Sequence, residues 1–278
     1  MSGILYVVAT PIGNLEDVTL RALRILREVS IIAAEDTRRT ARLLQHYSIS
    51  TPTTSLREHN ERRQTAALIG RLEKGESVAL VSDAGTPLVS DPGQALVSAV
   101  RTAGLRVEAI PGPSAVMAIL SAAGVPASEF TFLGFPPTRL NDRKRWLSVV
   151  ATEPRPLIFF EAPHRLQGTL VDISRVIDLN HTLFVGRELT KAHEELVVRP
   201  ITLLLEYFAE PRGEFTLLIP PGGRTEGTVK PPNERQLATE LGELTNNGRL
   251  RRREALKIIG RKYGLTPNEL YKLVGKKP

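Results

Sequence analysis

At 278 residues and 41% hydrophobic content, the chain can bury one large core or two modest ones, and its length favours two domains. It contains no cysteine, which excludes disulfides, thiolate nucleophiles, Cys-zinc sites and iron-sulfur clusters and leaves a cytosolic location as the simplest expectation. The net charge of +7 sits in one place: residues 230–278 carry twelve Lys and Arg against five Glu, and the first 229 residues balance.

The chain opens on the apolar run Ile4 to Ala9, far short of the roughly 20 residues a membrane span needs. No basic region precedes it, so no cleaved signal peptide is expected. Strands are predicted over Ile4–Val8, Ile31–Ala34, Val78–Val81 and Leu105–Ile110, each short, apolar and rich in branched residues. Helical patterns over Leu20–Val29, Glu61–Leu72 and Gln94–Ala103 alternate with them. This alternation predicts an α/β fold with a parallel sheet covered by helices. After the strands come four turns of small or polar residues, "TPIGN", "EDTRRT", "SDAGTP" and "PGPSA". The carboxyl ends of parallel strands lie together, so these turns should line one crevice.

The third turn, "VSDAGTP" at 81–87, lacks the lysine and hydroxyl of a P-loop and the spacing of G-x-G-x-x-G, so neither a nucleoside triphosphate nor a dinucleotide is its natural ligand. Its backbone groups and Asp83 suit a ribose hydroxyl or an amine; equally, Asp83 can close an Asx turn or cap a helix.

From about Pro126 to Pro221 the texture changes, with strands predicted over Phe130–Phe135, Pro156–Glu161, Thr182–Arg187 and Phe215–Ile219. Charged helices and longer loops separate them, which points to a mixed sheet in a second domain. Within it "PPTRLNDRKRW", Pro136 to Trp146, leads into a helix with Arg139, Arg143, Lys144 and Arg145, a cluster suited to RNA phosphates. Trp146 either stacks on a base or, as the opening of an apolar helical run, belongs to the core. The five histidines, at 46, 59, 164, 181 and 193, form no HxH or HxxxH pair, and no metal site is expected.

"PPGGRTEGTVKPPN", Pro220 to Asn233, reads as a linker. Beyond it Ala255, Ile258, Ile259 and Lys262 share a helical face, Gly264 ends that helix, and Thr266, Pro267 and Glu269 form a capping box for another. The pair is similar to a helix-turn-helix, with Arg251, Arg252, Arg253, Lys257, Arg261 and Lys262 close by. Nucleic-acid contact and a small docking bundle with a solvated charged face are both open readings.

Six stretches together carry a resemblance: "ATPIGNLED" at 9–17, "AAEDTRRT" at 33–40, "VSDAGTPLVSDPG" at 81–93, "PGPSA" at 111–115, "FFEAPHRL" at 159–166 and "GRELTK" at 186–191. In this order the chain resembles the bacterial ribosomal RNA ribose 2′-O-methyltransferases of the tetrapyrrole-methylase superfamily. The resemblance implies a two-domain α/β fold, S-adenosylmethionine as methyl donor in the cleft, a homodimer, and a cytidine in the decoding region of small-subunit rRNA as acceptor, in free rRNA or the small ribosomal subunit. It implies methylase subdomains over 1–118 and 119–222, a linker over 223–233 and a basic RNA-contact segment over 234–278. It also implies that Pro11, Asp83, Ala84, Gly85, Thr86, Pro87, Ser114, Ala115, Glu161 and Leu166 hold the cofactor. The glycine-rich turn usual after the first strand of tetrapyrrole methylases is "TPIGN" here, which fits the RNA-modifying branch.

A ribose hydroxyl is a weak nucleophile, so help with its proton is expected. Glu35, Asp36, Glu161, His164, Glu188 and Lys191 are the titratable candidates in the matched stretches, with Glu35, Asp36 and Lys191 put forward. The alternatives are ion pairs of Glu35 and Asp36 with Arg38 and Arg39, and of Glu161 with Arg165 or Arg187. A small-molecule tetrapyrrole methylase and a non-enzymatic RNA-binding protein are the other classes open to such a chain.

Overall fold

The computed structural model describes residues 2–57 and 59–222, together with Leu237, Leu241, Thr245, Ala255 and Leu256. The linker expected over 223–233 lies outside the described residues. So does the helix pair beyond it, except that Ala255 and Leu256 are helical and buried.

The first half runs β1 (Ile4–Val8), α1 (Leu20–Glu28), β2 (Ile31–Ala34), α2 (Thr37–His46), β3 (Thr53–Ser55), α3 (Glu61–Glu73), β4 (Val78–Val81), α4 (Gln94–Thr102), β5 (Arg106–Ile110) and α5 (Ala115–Ala123). Its five strands are all parallel, in the order β3-β2-β4-β1-β5. Every residue of β2 and β4 is buried because helices cover both faces of the sheet. Alternate residues supply two cores: Val8, Ile32, Ala34, Ala79 and Val81 pack with Leu23 and Leu26 of α1, whereas Leu5, Ala33, Val78 and Leu80 pack with Leu68, Leu72 and Leu96 of α3 and α4. The connection leaving β1 passes over β4 to reach β2, and the one leaving β4 passes over β1 to reach β5. The sheet therefore changes direction between β1 and β4, where ligand crevices form in open parallel sheets.

The second half runs β6 (Thr131–Phe132), α6 (Leu140–Thr152), β7 (Leu157–Glu161), α7 (Pro163–Ile173), β8 (Thr182–Arg187), β9 (Glu195–Pro200), α8 (Ile201–Tyr207) and β10 (Phe215–Ile219). Its sheet has the order β6-β7-β10-β8-β9; β6 and β7 are parallel and the other pairs antiparallel. Trp146 is a core residue, 6% exposed and edge-on to Phe159 with ring centroids 5.2 Å apart. On the opposite face, Val116, Ile119 and Leu120 of α5 pack against Ile158 and Leu218. Thus α5, which leaves the first sheet, is seated on the second, and position 118 falls inside it.

Several predicted strands match closely, while β3, β9 and α2 are additions. β3 is three polar residues, "TTS", with no apolar pattern to mark it, and β9 is an edge strand with Leu196 and Val198 exposed. The "EDTRRT" turn proves to be the start of α2, capped by Asp36. β6 keeps only two of the six residues expected.

Candidate active site

The four turns converge. Thr10, after β1, and Gly85, after β4, exchange backbone hydrogen bonds of 2.9 Å in both directions. Gly85 takes φ +81°, which a side chain would strain, and a Cβ there would lie 3.2 Å from Ile12 Cγ2. Thr86 Oγ1 donates to the Pro113 carbonyl at 3.2 Å and ties in the turn after β5.

The ends of β2 and β4 are laced together by their acids. The Asp36 N–H donates to Asp83 Oδ1 at 2.9 Å, and the Asp83 N–H donates to Glu35 Oε2 at 3.3 Å. Arg39 stands 3.5 Å from Asp83 Oδ2, and Arg57 stands 3.5 Å from Asp36 Oδ2 while donating to the Glu35 carbonyl at 3.0 Å.

Between the two sheets these turns form the floor of a cleft of about 420 Å³. The floor presents Ile12, Asp83 to Thr86, and Ser114 with Ala115 at the N-terminus of α5; the second half contributes Phe135, Phe160, Glu161 to Pro163 and Phe215. Ser114 makes no side-chain cap, so the first amides of α5 remain available to an anion.

The expected cofactor residues divide. Asp83, Ala84, Gly85, Thr86, Ser114, Ala115 and Glu161 line the cleft. Pro11 lines an adjoining groove. Pro87 is buried beside the floor, and Leu166 is fully buried in the second core, packed there because it lies on the inward face of α7. Glu161 reaches the wall with a side chain wholly shielded from water: it accepts from Thr169 Oγ1 and the Ala162 N–H, and Arg165 lies at 3.4 Å. Arg187 pairs with Glu195 instead.

The proton-handling candidates separate on electrostatics. Burial raises the Glu35 carboxyl above its ordinary value; the Asp83 charge adds to this, and the Asp83 amide, Arg39 and Arg57 only partly offset it. Asp36 moves the other way, chiefly because its carboxylate caps α2 at the Arg38 N–H, 2.9 Å away. Lys191 is partly buried, which opposes its charge, yet its bonds to Glu188 at 2.8 Å and Glu214 at 2.9 Å prevail and keep it protonated. His164 is exposed on α7 and lines no part of the cleft.

Sequence reasoning missed Asp91, which also lines the cleft. Burial first, then the Glu35 and Asp83 charges, push its pKa up to about 6, against a hydrogen bond from Ser82. Its neighbours Leu88 and Ser90 hold φ of +71° and +69°, strain that the sequence does not announce. A carboxyl raised by folding is stabilising below its unfolded pKa, 3.8, and loses that contribution as pH rises through about 6. Because Asp91 is only partly buried, water screens the effect to on the order of 1 kcal/mol. Asp91→Asn should therefore melt about 2 °C above the parent at pH 8 and level with it below pH 4. Melting curves across that range check this, and an offset independent of pH would contradict it.

The basic helix α6 is partly committed to structure. Arg143, 16% exposed, bonds Asp172 at 2.6 Å and Thr169 at 2.9 Å, and Arg145 pairs with Asp142. Arg139 and Lys144 are exposed. Of the tail cations put forward, Arg251, Arg252, Arg253, Lys257, Arg261 and Lys262, all lie outside the described residues.

Comparison with known proteins agrees with this architecture. The family of Tetrapyrrole (Corrin/Porphyrin) Methylases matches residues 4–204. "Ribosomal RNA small subunit methyltransferase I" of Synechocystis sp. is 44% identical over 273 residues, 98% of this chain and 97% of that protein. The protein of the same name from Pseudomonas aeruginosa is 48% identical over 222 residues, 78% of this chain and 79% of its own. Among solved structures, uroporphyrin-III C-methyltransferase from Thermus thermophilus, complexed with S-adenosylhomocysteine, superposes with a TM-score of 0.57 at 18% identity, covering 78% of this chain and 97% of that one. The chain belongs to the tetrapyrrole (corrin/porphyrin) methylase family and, within it, to the group of the ribosomal RNA small subunit methyltransferases I.

Proposed function

We propose that the chain transfers a methyl group from S-adenosylmethionine to the ribose 2′-hydroxyl of a cytidine in the decoding region of small-subunit ribosomal RNA. The observation that carries the reading is the donor set of the cleft. An uncapped helix N-terminus faces a carboxylate across a floor of small residues, beneath a phenylalanine-rich wall; among the described residues no lysine lines it, and the arginine that does, Arg39, stands 3.5 Å from Asp83. That set fits a phosphate-free zwitterion with a ribose and an adenine and is ill suited to a polyphosphate. The amides of Ser114 and Ala115 would hold the carboxylate of the donor, Asp83 its amine or ribose hydroxyls, and Phe135, Phe160 and Pro163 would cover the adenine. When bound, the donor supplies an electrophilic methyl on a sulfonium.

The residues of the chain then have three tasks. The apolar wall excludes water, and the turns orient donor against acceptor, which supplies most of the acceleration. Glu35 takes the proton of the acceptor hydroxyl at Oε1, since Oε2 already accepts from the Asp83 amide. Asp36 and Lys191 serve as cap and ion-pair partner instead. Residues 1–118 and 119–222 act as the methylase halves, 223–233 as linker and 234–278 as a basic RNA-contact segment, in a cytoplasmic homodimer. Arg139, Lys144 and Arg145 add further phosphate contacts.

Transfer of labelled methyl to small ribosomal subunits, free rRNA and a porphyrinogen in parallel, followed by nucleoside analysis, tests this. Labelled 2′-O-methylcytidine is expected; label on a base would overturn the 2′-hydroxyl step, and label confined to the porphyrinogen would overturn the acceptor.

A further inference from the structure

Among the cavities that share lining residues with the cleft, two are lined by charged groups around Asp83, and their charges differ. The larger, about 750 Å³, is faced by Glu35, Asp36, Glu61, Asp83 and Asp91, against Arg38, Arg57 and His59. Five carboxylates in so small a space repel a polyanion. The smaller, about 350 Å³, shares Ile12, Arg39, Asp83, Ala84 and Glu214 with the cleft and adds Arg42 and Lys191. There three cations stand against two carboxylates, and Pro11, Leu15 and Leu43 supply an apolar wall.

These cations are unequally committed. Arg39 stands 3.5 Å from Asp83, and Lys191 is bonded to Glu188 and Glu214. Arg42 is exposed and makes no ion pair among the described residues. It follows Arg39 by three positions on α2, so the two guanidinium groups rise from one helical face. A planar fork with uncommitted donors is suited to a phosphodiester.

We propose that this groove between α2, the Pro11–Gly13 turn and Lys191 seats the phosphodiester backbone of the acceptor RNA strand, with Arg42 as its principal phosphate contact. The assignment rests on the proposed rRNA methylation and names the side from which the acceptor enters. The strand lies along the cationic groove, the sugar meets the cleft at Asp83 and Ala84, and the acidic cavity stays clear of phosphate.

The test is Arg42→Glu and Arg42→Gln beside Arg101→Glu, a charge reversal at an exposed position on α4 outside all three cavities. Methyl transfer to small subunits, anisotropy of a fluorescein-labelled small-subunit rRNA fragment across a salt series, and calorimetry with S-adenosylmethionine are the readouts. Arg42→Gln should raise KM for subunits about tenfold with kcat within about twofold, and flatten the log–log salt dependence of RNA binding by roughly one. Arg42→Glu should do more, and S-adenosylmethionine affinity should not change in either. A parental KM and salt slope in Arg42→Gln, or an equal loss in Arg101→Glu, would overturn the groove assignment. If the parent binds RNA but transfers no methyl to subunits, the proposed function fails, while the anisotropy series still decides whether Arg42 holds the strand.

Discussion

Glu35→Gln should lower kcat for methyl transfer by about a hundredfold, the lower end of what a positioned general base contributes, and leave affinity for S-adenosylmethionine within a factor of about three. Glutamine keeps the shape of the side chain and an oxygen that accepts from the Asp83 amide, so the turn after β4 stays in place. The ability to take a proton is what it loses. In the parent, activity should fall as pH drops through the raised pKa of Glu35, because only the carboxylate form works as a base. Asp83→Asn provides the cross-check. Its amide oxygen still accepts from the Asp36 N–H, but the charge that raises both Glu35 and Asp91 is gone, so the acid limb should move to lower pH. A pH–rate profile of the three proteins decides the matter. If Glu35→Gln kept more than about a tenth of the parental kcat, or if Asp83→Asn moved the limb upward, the proton would be going elsewhere.

Much of the fold was legible because its signals are local. Ile4–Val8, Ile31–Ala34 and Val78–Val81 are strands at the predicted boundaries, each a short apolar run rich in branched residues. Their convergence on one crevice followed from parallel topology alone, and the four turns do meet there. What escaped was decided at a distance. β3 has no apolar residue and exists because β2 offers it a ladder. Asp91 looks in sequence like a turn aspartate before Pro92 and Gly93. Its perturbed carboxyl arises from burial beside Glu35, which follows β2, and Asp83, eight residues earlier in its own connection. Leu166 shows the opposite error. It stands inside a matched stretch, yet helical periodicity turns it into the second core while Glu161 and Pro163 face the cleft. Motif membership gives the neighbourhood of a site, and the period of the element decides which members reach it.

The same distinction explains why Gly13 should be among the least replaceable positions of the first turn. A Cβ there would lie 2.4 Å from Lys191 Cγ, 2.8 Å from Thr190 Oγ1 and 2.9 Å from the Leu189 carbonyl. The lysine stem can swing away, but the carbonyl is backbone and cannot. It sits in a segment already strained, with φ of +52° at Glu188 and +66° at Thr190. That segment is fixed by the Glu194 bond to the Thr190 amide and by the Lys191 pairs with Glu188 and Glu214. Next to Gly13, the Asn14 N–H donates to Thr190 Oγ1 at 3.0 Å, a direct tie between the two halves. Gly13→Val would push the segment off the turn, break that tie and disturb Thr10, whose backbone holds Gly85 at the cleft floor. We expect a loss of about 2 kcal/mol, a fall in Tm of several degrees, and at least tenfold weaker binding of S-adenosylmethionine. Thr190→Ala, which removes the tie without a clash, should weaken binding less and barely move Tm. Calorimetry and melting of both variants separate the two contributions. A Gly13→Val protein that melted and bound like the parent would mean that the halves hold their spacing without this contact.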